Sequence, residues 1–123
     1  MPKVGRFVTD PRAGAYCQVT LDSGEKIVVN HEKGGFKGAL LTVEASRMMG
    51  FRSERVFTCD LDSPQGEAAL ARLTRGAQPG SVEATPLAAF VAYVKDAGSL
   101  AELRTRCAAL MSSGESPWNS RRC

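Results

Sequence analysis

The sequence predicts an α+β protein in which a five-stranded, antiparallel, barrel-like sheet is followed by three C-terminal helices. In residues 1–62 apolar residues alternate with polar ones over short runs, as they do in half-buried strands. In residues 63–114 they recur every three or four positions, as they do in amphipathic helices. We therefore expect one domain over residues 1–114. Residues 115–123 show no periodicity and predict a flexible tail, unless Trp118 docks.

Five runs of alternating residues predict the strands. Turn residues such as Pro11, Gly14 and Gly24 separate the first three runs, and the second and third form the clearest hairpin. Residues 46–54 fit either a connection or one short helical turn. The predicted strands are residues 4–9, 17–21, 27–31, 39–45 and 55–61.

A sheet of five short strands can remove its exposed edges by closing into a small barrel. SH3-like and OB-like topologies both fit the run of strands. An open, curled antiparallel sheet with helices on one face fits nearly as well, and the strand pattern does not separate these three arrangements.

Capping residues mark the start of each predicted helix, and a glycine marks each end. Because Gly98 and Ser99 alone separate the last two helices, we expect these two to form a helical hairpin. The start signals are Ser63 with Pro64, Thr85 with Pro86, and the capping box of Ser99 and Glu102. The expected ends are Gly76, Gly98 and Gly114.

The middle helix, residues 85–97, carries two apolar stripes and therefore needs cover on more than one side. The first stripe is Leu87, Phe90, Val91 and Val94, and the second is Ala89, Tyr93 and Ala97. A second copy of the chain could cover the second stripe across a two-fold axis. We therefore predict a homodimer, or contact with a protein partner, through Ala89, Tyr93, Met48 and Met49.

A nucleic-acid-binding protein is the alternative prediction. The glycine-rich loop after the second hairpin strand and the connection before the last strand both combine cations with an aromatic ring, which suits phosphates and stacked bases. The residues of this alternative site are Lys33, Phe36, Lys37, Arg47, Phe51, Arg52 and Arg55. Glu32, Glu44 and Glu54 lie among them, and the net charge of +3 is spread along the chain, so we rank this alternative second.

Catalytic and metal-binding signatures are missing from the sequence. His31 is the single histidine, and a small enzyme would need it to work with Asp60 or Cys17, which we rank third. Asp60 and Asp62 lie two positions apart, but Asp62 also suits the start of the first helix, beside Ser63. We therefore predict no metal, no cofactor and no catalysis.

The positions of the cysteines and the hydropathy of the sequence predict that the protein is located in the cytoplasm. Cys17, Cys59 and Cys107 fall on apolar phases of predicted elements and read as reduced core residues, whereas Cys123 should be an exposed thiol. The longest uncharged helical run is about half of the roughly 20 residues that span a membrane, and the N-terminus lacks a secretory pattern. The sequence thus predicts a non-enzymatic, cytoplasmic binding or accessory module that self-associates.

Overall fold

The computed structural model describes residues 3–10, 14–33, 39–46 and 53–112, and within them it confirms the α+β class. Six strands precede three α-helices, and a short 3₁₀ helix over Val82–Ala84 lies between the first two helices. The strands are β1 (Lys3–Val4), β2 (Val8–Asp10), β3 (Gly14–Thr20), β4 (Lys26–Glu32), β5 (Leu40–Ser46) and β6 (Ser53–Asp60). The helices are α1 (Pro64–Leu73), α2 (Pro86–Val94) and α3 (Leu100–Ser112).

The sheet is antiparallel throughout and runs in the order β1, β3, β4, β5, β6, with β2 also paired to β3. The predicted first strand is therefore split in two, because the register moves by one residue between the Val4–Val19 pair and the Val8–Tyr16 pair. In the described ranges the two edges do not pair with each other. The sheet is open, so the barrel-like closure is not confirmed, and neither an SH3-like nor an OB-like topology is supported.

The helices cover one face of this sheet, and the strand alternation determines which face it is. Side chains at every second position of β3, β4 and β5 join one hydrophobic core with residues of all three helices. A register irregularity lies between Val43 and Glu44 of β5. Ser46 and Ser53 belong to β5 and β6, so the ambiguous segment predicted over 46–54 begins and ends as strand; residues 47–52 lie outside the described ranges.

The first predicted stripe of α2 is confirmed as the centre of this core. Leu87, Phe90, Val91 and Val94 are buried, and the Phe90 ring stacks on Phe57 of β6 with centroids 5.6 Å apart. The helix ends at Val94 instead of reaching Gly98. Of the second stripe, Ala89 and Ala97 are also buried in the chain's own core region, and Tyr93 is partly buried.

Two of the predicted capping interactions differ from expectation. Ser63 caps α1 as predicted, since its Oγ accepts a hydrogen bond from the Gly66 N–H at 2.9 Å. The Thr85 hydroxyl instead donates to the carbonyl of Val82 in the 3₁₀ helix, which the sequence did not predict. Ser99 Oγ accepts from the Glu102 N–H at 3.3 Å, but the Glu102 carboxylate pairs with Arg106 and does not complete the capping box.

Helix α1 ends at Leu73, three residues before the predicted Gly76, which adopts a positive φ of 85° in the following turn. Helices α2 and α3 are joined by residues 95–99 and meet where the Tyr93 hydroxyl donates to the Arg106 carbonyl. The tail predicted over 115–123 lies outside the described ranges. None of the described helices is long and apolar enough to cross a membrane.

Candidate functional site

The three helices enclose an open groove of about 360 Å³ on the helical side of the molecule. Each helix supplies part of its wall, and most of the lining is apolar. The lining residues are Arg72 and Leu73 of α1, Ala89, Ala92 and Tyr93 of α2, and Leu110 of α3. We refer to this surface as the helical groove. It unites the two α2 residues predicted for self-association with parts of α1 and α3 that the sequence did not implicate.

Among the described residues, Arg72 is the one charged residue of the groove lining. Its guanidinium donates to the backbone carbonyl of Leu110, one of the last carbonyls of α3, and so holds the ends of α1 and α3 together. Its Nε atom is buried and has no hydrogen-bond partner in the described part of the chain. Leaving a buried donor unpaired costs about 1–3 kcal/mol. Because this donor is itself buried, it lies beneath the groove wall and is not presented on the groove surface.

The opposite wall is fixed by reciprocal hydrogen bonds between Tyr93 and Arg106. The Tyr93 hydroxyl donates to the Arg106 carbonyl at 2.9 Å, and the Arg106 guanidinium donates to the Tyr93 carbonyl at 3.1 Å. The same guanidinium pairs with Asp96 and with Glu102. Its hydrogen bond holds the pKa of the Asp96 carboxyl below the usual range. Because both helices are tied at this crossing, the groove is formed before any partner binds.

The predicted self-association residues differ in what they offer to a partner. Ala89 is 5% exposed and forms the floor of the groove, so a charged residue there would disturb the monomer itself. The side chain of Tyr93 is partly exposed, and its hydroxyl is already hydrogen-bonded to the Arg106 carbonyl of α3. Ala92 is exposed on the same wall, and the sequence analysis missed it together with Arg72, Leu73 and Leu110. Met48 and Met49 lie outside the described ranges.

The predicted nucleic-acid site is only partly within the described ranges. Lys33 is exposed just after β4, and Arg55 is exposed on β6, where it forms an ion pair with Glu44 at 3.5 Å. That pair reduces the positive charge which Arg55 could offer to a phosphate. The remaining residues of this site, Phe36, Lys37, Arg47, Phe51 and Arg52, lie outside the described ranges.

His31 lies on the helix-covered face of the sheet, where it is half-buried between its cross-strand neighbours Ala15 and Leu41. Burial, with a smaller contribution from Lys33, lowers its pKa. The neutral ring is therefore favoured at neutral pH. Asp60 is exposed on the other side of β6 from this face, so the structure does not bring it to His31 as a catalytic partner.

The side chains of Asp60 and Asp62 form hydrogen bonds to the backbone at the end of β6. The Asp60 carboxylate accepts from the Asp62 N–H at 2.9 Å, and the Asp62 carboxylate accepts from the Ala39 N–H at 3.1 Å. Both side chains thereby fix the turn that leads into α1. Within the described ranges no group of three or more His, Cys, Asp or Glu residues is arranged to hold a metal ion.

A larger cavity, of about 740 Å³, lies between the turn of the β3–β4 hairpin and the start of α3. Its two carboxylates already have partners, since Glu25 accepts from the Leu100 N–H and Glu54 pairs with Arg104 at 2.9 Å. Residues 47–52, which connect two of its walls, lie outside the described ranges. We therefore base the functional assignment on the helical groove, to which all three described helices contribute lining residues.

No protein-family model, no curated protein and no solved structure matches this chain. The functional assignment therefore depends on the residues of this chain alone.

The sequence predicted the helical groove only in part. The second stripe of α2 pointed to one wall, but the contributions of Arg72, Leu73 and Leu110 depend on how α1 and α3 converge. Local sequence patterns do not encode that convergence.

Proposed function

We propose that the protein is a non-enzymatic, cytoplasmic binding or accessory module that self-associates through the helical groove. The observation that carries this proposal is the open apolar groove built from all three helices. A groove between helices is a place where an apolar side chain of a partner can bind. The free thiols of Cys17, Cys59 and Cys107 support a reducing compartment, because unpaired cysteines are typical of cytosolic proteins.

Val82 of a second copy is the occupant that suits the groove best. It is 69% exposed, and it is the one large apolar side chain of the described helical part, residues 64–112, with such exposure. It lies on the 3₁₀ helix directly before α2, the helix that forms the longest part of the groove wall. Across a two-fold axis each copy would place its Val82 in the groove of the other.

The two Val82 contacts supply part of the roughly 6 kcal/mol that a dimer at tens of micromolar requires, and the rest must come from the helical surface around the groove. Burying a valine side chain contributes roughly 1.5 kcal/mol or more, and the two-fold axis makes the contact twice. In the described part of the chain the lining contains one charged residue, Arg72, so these residues of two copies meet with little electrostatic repulsion.

Light scattering and sedimentation under reducing conditions test the proposal. At roughly tens of micromolar, where a weak interface should still form, we expect a dimer. Ala92→Glu and Val82→Glu should each give a monomer with an unchanged circular dichroism spectrum. Ala101→Glu is the matched control, since Ala101 is exposed in the first turn of α3 and does not line the groove.

Two results would contradict self-association through the groove. One is a wild-type monomer throughout this concentration range. The other is a dimer that survives both Ala92→Glu and Val82→Glu, which would place the interface elsewhere. The predicted site around Lys33 and Arg55 stays a prediction, and no observation on the described residues favours it over the groove.

A further inference from the structure

The edge of the sheet formed by β1 and β2 has an irregular backbone that leaves a hollow. Between these two strands, residues 5–7 interrupt the pairing with β3 while the register moves by one residue. The Gly5 N–H still donates to the Gln18 carbonyl at 2.7 Å, which keeps the interruption close to the sheet. The hollow measures about 400 Å³. It is lined by Lys3, Val4, Gly5, Arg6, Val8, Tyr16, Gln18 and Thr20.

The alternation of β3 determines which of its side chains reach this surface. Cys17 and Val19 are fully buried on the helix-covered face. Tyr16, Gln18 and Thr20 must therefore project from the helix-free face, with Cα atoms spaced at roughly 6.5–7 Å. Register places Val8 beside Tyr16 and Lys3 beside Thr20. The hollow thus has an aromatic ring at one end and a cation at the other.

Both charged residues that line this hollow in the described ranges are positive. Lys3 and Arg6 are exposed, no described carboxylate lines the hollow, and neither cation forms an ion pair with the described part of the chain. Tyr16, Val4 and Phe7 are also more than two-fifths exposed, which is unusual for large apolar side chains among the described residues. Exposed rings next to unpaired cations suit a ligand that carries both negative charge and flat, stackable groups.

We infer that this hollow binds a single-stranded nucleic acid. Tyr16 would stack on one base, Lys3 and Arg6 would contact the flanking phosphates, and the Gln18 amide would reach a base edge. An acidic peptide is less suited, because strand addition needs a continuous edge and this edge is interrupted at residues 5–7. The hollow lies on the sheet, away from the helical groove, so binding does not depend on self-association.

Fluorescence anisotropy with a labelled oligo-dT strand and a labelled oligo-U strand of about 12 nucleotides tests this inference. Two phosphate contacts predict that the logarithm of affinity falls with the logarithm of salt concentration with a slope of about 1.4. Tyr16→Ala should weaken binding about 5- to 150-fold, as expected for loss of one stacked base. Lys3→Glu with Arg6→Glu should abolish the salt dependence together with most of the affinity.

Charge-matched controls separate this site from general electrostatic attraction. Lys95→Glu combined with Arg75→Glu reverses one lysine and one arginine at exposed positions of the helical part and should leave the affinity unchanged. Lys33→Glu tests the other predicted site. Ala92→Glu should also bind normally, which makes this outcome independent of the dimer. Because the varied side chains are exposed, unfolding temperatures should not change. Three results would overturn the inference. Neither strand binds at low salt, or Lys33→Glu abolishes binding. The third is that polyglutamate binds equally well and that Tyr16→Ala does not weaken its binding.

Discussion

The carboxylate of Glu25, in the turn between β3 and β4, accepts a hydrogen bond of 2.9 Å from the backbone N–H of Leu100, the first residue of α3. The two residues are 75 positions apart. The first N–H groups of a helix have no partner within it, and an acidic side chain also interacts favourably with the positive end of the helix dipole. The Ser23 hydroxyl donates to the same carboxylate at 2.7 Å, and the Ser23 N–H donates to the Gly98 carbonyl. The hairpin turn thus acts as a cap for α3.

Stability should depend on pH through this cap. The Leu100 N–H, and then Ser23, lower the pKa of Glu25 in the folded protein. The stabilisation is therefore complete above the unfolded pKa of about 4.3 and is lost as the pH falls through the folded value. Glu25→Ala should cost about 0.3–1 kcal/mol at pH 7, the range for a solvent-exposed charge at a helix N-terminus. Glu25→Gln should also be destabilising at pH 7, but by an amount that shrinks as the pH falls through the folded pKa of Glu25.

Urea unfolding at several pH values measures this difference. Glu83→Gln, at an exposed position of the 3₁₀ helix, serves as the matched control and should stay within about 0.5 kcal/mol of wild type. If Glu25→Gln differs from wild type by the same amount from pH 3 to pH 7, the charge of Glu25 does not stabilise α3.

Gly66 is required by the close approach of α1 to the end of β6. A Cβ atom at this position would overlap the backbone carbonyl oxygen of Asp60 and lie 2.6 Å from its carbonyl carbon. Backbone cannot move aside as a side-chain tip can, so Gly66→Ala should destabilise the fold by about 2 kcal/mol or more, despite the gain of about 1 kcal/mol in helix propensity. Chemical denaturation provides the measurement.

The matched control for this substitution is Gly98→Ala, because the nearest atom to a Cβ there is the Glu102 carboxylate at 3.5 Å. This variant should remain close to wild type. A Gly66→Ala protein that is as stable as Gly98→Ala would mean that α1 can shift away from β6 at little cost.

Cys107 should make the protein less stable at alkaline pH. Burial, with a smaller effect of Cys59, raises its pKa to about 12. Folding therefore holds the thiol protonated, and stability falls as the pH rises above the unfolded thiol pKa of about 8.5. Between pH 9 and 11 the loss for this one group approaches about 1.4 kcal/mol per pH unit. Cys107→Ala should remove that part of the pH dependence while adding a pH-independent packing cost.

Thiol labelling gives an independent readout for the cysteines. In a Cys123→Ser background, Cys17, Cys59 and Cys107 are all buried and should react no faster than the protein opens. Rapid labelling of Cys107 in the native protein, or a slope of stability with pH that Cys107→Ala leaves unchanged, would contradict the assignment.

The sequence by itself determined the features that depend on neighbouring residues. The alternation in β3 and β4 placed Cys17, Val19, Ile27 and Val29 on the buried face, and the spacing in α2 identified the stripe around Phe90 that fills the core. Ser63 and Pro64 likewise marked the start of α1. In each case the periodicity of a strand or helix, or one capping bond within four residues, is enough to determine the outcome.

The tertiary structure alone decided the features that join distant parts of the chain. Whether the sheet closes depends on how its two edges approach one another, and in the described ranges they stay apart. The helical groove needs the ends of α1 and α3 to converge on α2, and its closing bond runs from Arg72 to Leu110. The cap of α3 comes from Glu25 in a distant hairpin. These contacts arise only when packing brings remote segments together, and no local period or capping pattern specifies such an encounter.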